Sequence, residues 1–131
     1  MILDATFLFD LMANDEDAFE KGVEVVDRGE IQWLPAPVVA EVFYGATTAR
    51  SDTTAEEVRN RLLGYPRVAL DEDIARTAGA LLARADDYAG GESGIGWNDA
   101  HIAATADRLG DVVLTANVGD FDALGVDVET Y

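Results

Sequence analysis

The sequence predicts an α/β fold in which a mostly parallel sheet carries helices on both faces, a three-layer arrangement. Two observations carry this. Short apolar, β-branched segments alternate with helix-spaced ones through most of the 131 residues, an order that leads to parallel strands joined by helical crossovers. Hydrophobic residues make up 49% of the chain, enough for a real core at this length despite the charge. No internal repeat, low-complexity tract or linker divides it, so one domain over residues 1–131 is expected.

The elements follow in order. Ile2–Leu3 forms a short buried strand ending at Asp4. Residues 5–12 and 17–28 have helical spacing, separated by the polar turn Asn14-Asp15-Glu16, and Gly29 is a helix stop. Residues 31–34 give a second strand. Pro35 and Pro37 open a helix running to about Arg50. Ser51-Asp-Thr-Thr54 caps a further helix over 55–63, with Val58, Leu62 and Leu63 on one side. Residues 67–70 form a third strand. Residues 71–88 carry Ile74, Ala78, Leu81 and Leu82 at helix spacing. Gly90–Gly96 is a loop, 98–109 a helix, 112–115 the strongest strand, and 126–128 a last short one.

The formal net charge is −17, with 26 Asp plus Glu against 9 Lys plus Arg, and Lys21 is the single lysine. Such a surface repels phosphate at ordinary ionic strength. At about 1 M salt the Debye length shrinks to roughly 3 Å and the repulsion nearly vanishes. Many acids with almost no lysine is the composition expected of a salt-rich, halophilic cytoplasm. There are no cysteines, which excludes disulfides, thiolate catalysis and zinc–cysteine sites. No apolar run is long enough to cross a bilayer. The opening Met1-Ile-Leu-Asp4 lacks the basic region of a signal peptide, so a cytoplasmic protein is expected.

Four acids lie in or beside apolar sequence: Asp4, Glu41, Asp99 and Asp120. A buried ionised carboxylate is costly unless something positive meets it. Four of them, spread over the chain, point to one convergent site holding a cation. Glu41 is the most telling: on a helix its neighbours are Pro37, Val38, Tyr44 and Gly45, an otherwise apolar face. The plainer account rotates that helix so that Glu41 meets solvent or an arginine. Asp99 lies near a helix start, where the macrodipole favours an ionised carboxylate and where capping by Asn98 or Asp99 is the plainer account. Asp4 also suits a strand-end turn, and Asn117-Val-Gly-Asp120 is good turn chemistry. In a parallel sheet, the site forms beyond the carboxyl ends of the strands, where Asp4 and Asp120 fall. Hard oxygen ligands without cysteine or histidine partners select Mg²⁺ or Mn²⁺, ions that serve phosphoryl chemistry.

The sequence resembles the PIN-domain ribonucleases of the VapC toxin type over essentially its full length. The resemblance rests on Ile2-Leu-Asp-Ala-Thr6, Val39-Ala-Glu-Val-Phe-Tyr-Gly45, Asn98-Asp-Ala-His-Ile-Ala-Ala-Thr-Ala106 and Leu114-Thr-Ala-Asn-Val-Gly-Asp-Phe121. Each is short; their order, spacing and completeness make the match specific. It implies a PIN-like fold and metal binding by Asp4, Glu41 and Asp99. The last motif adds Asp120, or alternatively Asn117 at the position where some relatives carry Asp. Thr6 and Thr115 are matched to hydroxyls that orient Asp4 and the neighbouring strand. The implied activity is Mg²⁺-dependent (or Mn²⁺-dependent) hydrolysis of RNA phosphodiesters. The implied partners are a VapB-like antitoxin and a second copy in a homodimer. Phe7-Leu-Phe9 with Leu11-Met12 suits a contact surface or helix-core packing equally.

Other readings are weaker. His101 is the only histidine, and neither Ser51 nor Ser93 sits in a nucleophile elbow. The glycines of 90–96 lack a following Lys-Ser/Thr, so they are no P-loop; that loop lets the chain turn, with Trp97 packing after it. Trp33 and Trp97 are able to stack bases, though burial is the commoner fate. Arg50, Arg59 and Arg61 are expected in helix-surface ion pairs. A phosphoacceptor receiver domain needs a lysine at its acidic site, and Lys21 lies in a helix away from the strand ends. A non-catalytic PIN-fold domain that pairs with a protein is the remaining alternative.

Overall fold

The computed structural model describes residues 1–48 and 52–131. The chain begins with β1 (Ile2–Leu3), α1 (Ala5–Met12), α2 (Glu16–Asp27) and β2 (Leu34–Pro35). It continues through α3 (Ala36–Thr47), α4 (Ala55–Arg61), β3 (Arg67–Val68) and α5 (Glu72–Ala89). It ends with α6 (Trp97–Leu109), β4 (Val113–Leu114), α7 (Val118–Leu124) and β5 (Val128–Glu129).

All strand pairs are parallel. β4 lies between β1 and β5, with Leu3 opposite Leu114 and Leu114 opposite Glu129. β2 pairs with β3, Leu34 opposite Arg67. A parallel bridge from Ile2 to Trp33 joins the two groups, with the Leu3 N–H donating to the Trp33 carbonyl at 3.0 Å and Trp33 to Met1 at 2.8 Å. The spatial order is therefore β3-β2-β1-β4-β5. Right-handed crossovers put the helices that lead from β1 out to β3 on one face and those that serve β4 and β5 on the other. The order reverses direction between β1 and β4, and the crevice beyond that switch point is where such sheets bind ligands.

β1, β2 and β4 hold at two residues because their side chains are buried; β3 and β5 at the edges are partly exposed. Ile2, Leu3, Leu34, Val113 and Leu114 form the centre of the core with Val38, Ile102 and Phe121. The helices carry their own end signals. Asp15 caps α2 through the Ala18 N–H, Asp71 caps α5 through Ile74, and Thr54 with Glu57 makes a capping box on α4. α5 and α6 stop at Gly90 and Gly110, each at positive φ.

Several boundaries differ from expectation. The second strand begins at Leu34, not residue 31, because the Ile31 carbonyl accepts from the N-terminal ammonium at 3.0 Å and Ile31 is exposed. Leu63 lies beyond α4 and is exposed, so only Val58 and Leu62 face the core. The third and last strands are shorter or shifted, at Arg67–Val68 and Val128–Glu129. The expected helix end at Arg50 and the cap at Ser51 fall outside the described residues. Asp120 sits not in a turn but on α7, a helix whose Phe121 and Leu124 are buried. No helix among the described residues is long and apolar enough to cross a membrane.

Candidate active site at the carboxyl edge of the sheet

Asp4 follows β1 directly and caps α1. It is 3% exposed and accepts three hydrogen bonds. Its Oδ1 accepts from the Ala5 N–H at 2.7 Å. Its Oδ2 accepts from the Thr6 hydroxyl at 2.8 Å and from the Thr115 hydroxyl at 2.6 Å. Each hydroxyl has one proton, so both protons go to Asp4 and the 3.2 Å Thr6–Thr115 contact has none left to share. The same two oxygens then accept from the next turn: Thr6 from the Ala116 N–H at 3.1 Å, Thr115 from the Asn117 N–H at 2.9 Å. This network joins the end of β1 to the end of β4, across the switch point. Asp4 is thus both the plain strand-end cap and a buried carboxylate at the switch point.

Glu41 is carried there by α3. Its Oε2 is buried and has no hydrogen-bond partner. Burial raises its pKa, a hydrogen bond from Asn98 lowers it, and the negative charge of Asp4 raises it. The apolar setting expected around it is half correct. Pro37 and Val38 are buried, but Tyr44 is 73% exposed; α3 presents Glu41 at the boundary between core and crevice.

Asp99 is the third residue of α6, whose N-cap is Gly96 with no side-chain cap bond. Capping by Asn98 or Asp99 is therefore not what occurs. Burial, then the charges of Asp4, Asp120 and Glu41, push the Asp99 carboxyl up to about 6. The helix dipole favours the ionised form, and here the combined field of three carboxylates and desolvation outweighs it. That coupling places residues from β1, α3, α6 and α7 in one electrostatic neighbourhood.

Asp120 occupies the first turn of α7, and its Oδ2 accepts from the Asn117 side-chain amide at 2.8 Å. Asn117 stands at the N-cap of α7 but makes no cap bond; its amide holds Asp120 instead. Asn98 was missed by sequence reasoning as a partner of Glu41. Its only local signal, proximity to a helix start, reads as capping.

None of the ion pairs among the described residues reaches these four acids. Lys21 is engaged by Glu24 and Glu129, so the lysine a receiver domain needs is committed elsewhere. Among the described residues no three His, Cys, Asp or Glu side chains are already gathered closely enough to hold an ion. The donor set nonetheless fits a hard cation: all oxygen, negative, uncompensated, with one buried carboxylate oxygen lacking any partner. Beside the site, Trp97 is 60% exposed rather than packed after its loop, and its ring lies 6.0 Å from that of His101.

Residues 1–126 match the family described as the PIN domain. Comparison with curated protein sequences finds no match. Among solved structures, the chain is similar to VapBC2 from Rickettsia felis bound to a DNA fragment from its promoter, with TM-score 0.81 at 17% identity, covering 99% of this chain and 97% of that one. It is similar to DNA-bound VapBC from Salmonella typhimurium, with TM-score 0.80 at 21% identity, covering 98% and 96%. It also resembles VapC20 from Mycobacterium tuberculosis, a toxin cleaving the sarcin–ricin loop, with TM-score 0.70 at 16% identity, covering 95% of each. At these identities the likeness speaks for the fold alone. With 126 of its residues under that family description, the chain belongs to the PIN-domain family.

Proposed function

We propose that this protein is a divalent-cation-dependent ribonuclease that hydrolyses RNA phosphodiester bonds and acts as the toxin of a toxin–antitoxin pair. What supports the reading is that Asp4 is buried at the sheet's switch point, that Glu41 keeps a buried oxygen without a partner, and that the charges of Asp4, Asp120 and Glu41 all act on Asp99, while no ion pair among the described residues reaches any of the four. Membership of the PIN family and the resemblance to VapC20, a sarcin–ricin loop cleaving toxin, support it.

Asp4, Glu41, Asp99 and Asp120 would hold the ion, Mg²⁺ or Mn²⁺, with the Asn117 carbonyl oxygen as a neutral donor. The chemistry such an ion supplies when bound is polarisation of the phosphate and activation of water. The chain's own part is orientation. Three donors fix Asp4 in one rotamer, and Asn117 fixes Asp120. Glu41 keeps an oxygen free of protein partners, available to a ligand. No side-chain nucleophile is required.

The antitoxin reading rests on apolar hollows around α1. One of about 370 Å³ includes Phe9, Met12, Val42 and Val58. Another of about 260 Å³ includes Leu11, Phe19, Val23, Val26 and Tyr65. Such grooves suit an amphipathic segment of a VapB-like partner. Of the stretch expected to make contacts, Phe7 and Leu8 are core; Phe9, Leu11 and Met12 remain partly accessible. A non-catalytic pairing domain is the second reading, favoured by the neutral Asn117 beside the site and by the spacing of the carboxylates. The test is cleavage of a fluorescent single-stranded RNA. Wild type should cut it with Mg²⁺ and not in EDTA, and Asp4→Asn and Asp99→Asn should each lose at least about a hundredfold in rate. Equal cleavage by the folded variants, or none by wild type under any salt and metal condition, would remove the nuclease reading.

A further inference from the structure

A cavity of about 700 Å³ adjoins the acids, lined by Phe9, Ala40, Glu41, Tyr44, Gly45 and Asn98. Glu41 belongs to both the acidic site and this lining, so whatever occupies the cavity lies next to the reacting phosphate. Its aromatic walls are accessible: Tyr44 is 73% and Phe9 41% exposed. Phe9 is also held in place. A Cβ at position 45 would lie 3.0 Å from Phe9 Cε1 and 3.3 Å from Cζ, so the ring rests directly on the α3 backbone where a glycine leaves room.

The chemistry of the lining excludes a phosphate. It has no lysine or arginine, and the whole chain carries −17. Aromatic faces with one amide and one carboxylate instead suit a flat, neutral heterocycle with hydrogen-bonding edges. The charge sharpens the need. A nuclease this acidic gains little from capturing the nucleic-acid backbone, so its hold on a single strand must come from contacts that do not depend on charge. Base stacking is one, and every base has a face to offer.

We propose that this cavity is a nucleobase subsite, receiving the base beside the scissile phosphodiester with Tyr44 stacking on it, Phe9 as a fixed wall and Asn98 bonding its edge. The assignment rests on the ribonuclease reading and names positioning residues for it.

The experiment has two arms. In the first, wild type, Tyr44→Ala and Tyr44→Phe are titrated with the neutral nucleosides adenosine, guanosine, cytidine and uridine while the backbone amide resonances of Phe9, Tyr44, Gly45 and Asn98 are followed. In the second, kcat and KM are measured on a fluorescein-labelled single-stranded RNA of mixed sequence, with sedimentation run on the same samples. At least one nucleoside should shift these resonances in wild type. Tyr44→Ala should abolish the shifts and raise KM about tenfold while kcat stays within roughly twofold, and Tyr44→Phe should restore both readouts. Nucleoside binding without RNA cleavage would remove the nuclease reading and with it the placement beside a scissile bond, leaving only a base-binding cavity. Cleavage with an unchanged KM in Tyr44→Ala, or no nucleoside response, would overturn the subsite and leave the nuclease reading standing. Loss of an oligomer in Tyr44→Ala would also overturn it, assigning this face to a second copy of the chain.

Discussion

At Thr115, one hydroxyl connects the two halves of the sheet. It is fully buried, donates to Asp4 at 2.6 Å and accepts from Asn117 at 2.9 Å. Thr115→Val keeps the shape and removes both bonds, leaving a buried carboxylate short of a donor. The expected cost is about 2 kcal/mol, the range for a hydrogen bond to a charged group, read as a lowered midpoint in urea. A midpoint equal to wild type would show that Asp4 does not depend on that hydroxyl. Asp99 makes a prediction in pH. Its folded pKa is raised from 3.8 to about 6. A raised acid favours the folded state at low pH: the contribution is fully present below 3.8 and lost as pH rises through about 6. In EDTA, Asp99→Asn should therefore gain thermal stability over wild type progressively between pH 4 and pH 7. A constant difference across that window would contradict the coupling. At this scale the sequence was readable where a charge interrupts apolar residues, as at Asp4 and Glu41. It was silent on Asn98 and misleading on Trp97, because an amide's partner and a tryptophan's exposure are set by chain segments far away in sequence.

The elements differ in how plainly they announce themselves. α5 and α6 carry long apolar periods and glycine stops, so their spans came within a residue or two of expectation. α7 did not announce itself. Seven residues containing Gly119 and preceded by Asn117 have the local chemistry of a turn; what makes them helical is burial of Phe121 and Leu124, a tertiary effect. The strands are two residues long, too short for any period to fix their ends. α4 is the element most dependent on a local signal, because only Val58 of its seven residues is buried. Thr54→Ala removes its capping box and should cost about 1 kcal/mol, measured by denaturant unfolding. A loss below a few tenths would mean that packing of Val58 and Leu62 holds α4 without the cap.

For the whole molecule, charge is the dominant fact. The described ion pairs gather at a few places, such as Lys21 and Arg28 on Glu129, and leave most acids unpaired against a net −17. Self-repulsion should make stability rise with KCl as the Debye length falls from about 10 Å at 0.1 M to about 3 Å at 1 M. Full stability in dilute buffer would contradict the salt-adapted reading. The strand order does the rest: it reverses direction between β1 and β4, beside Asp4, and the acids of α3, α6 and α7 act electrostatically on one another there. The alternation of strands and helices made the parallel sheet legible in the sequence, whereas its order needed the hydrogen bonds through Trp33. The most direct test of the account is anomalous scattering from a crystal soaked in Mn²⁺. The account predicts one peak or more at this edge, with oxygens of Asp4 and Asp99 at roughly 2.0–2.2 Å, the distance of a small hard cation. A fully occupied ion elsewhere, with this edge empty, would contradict it.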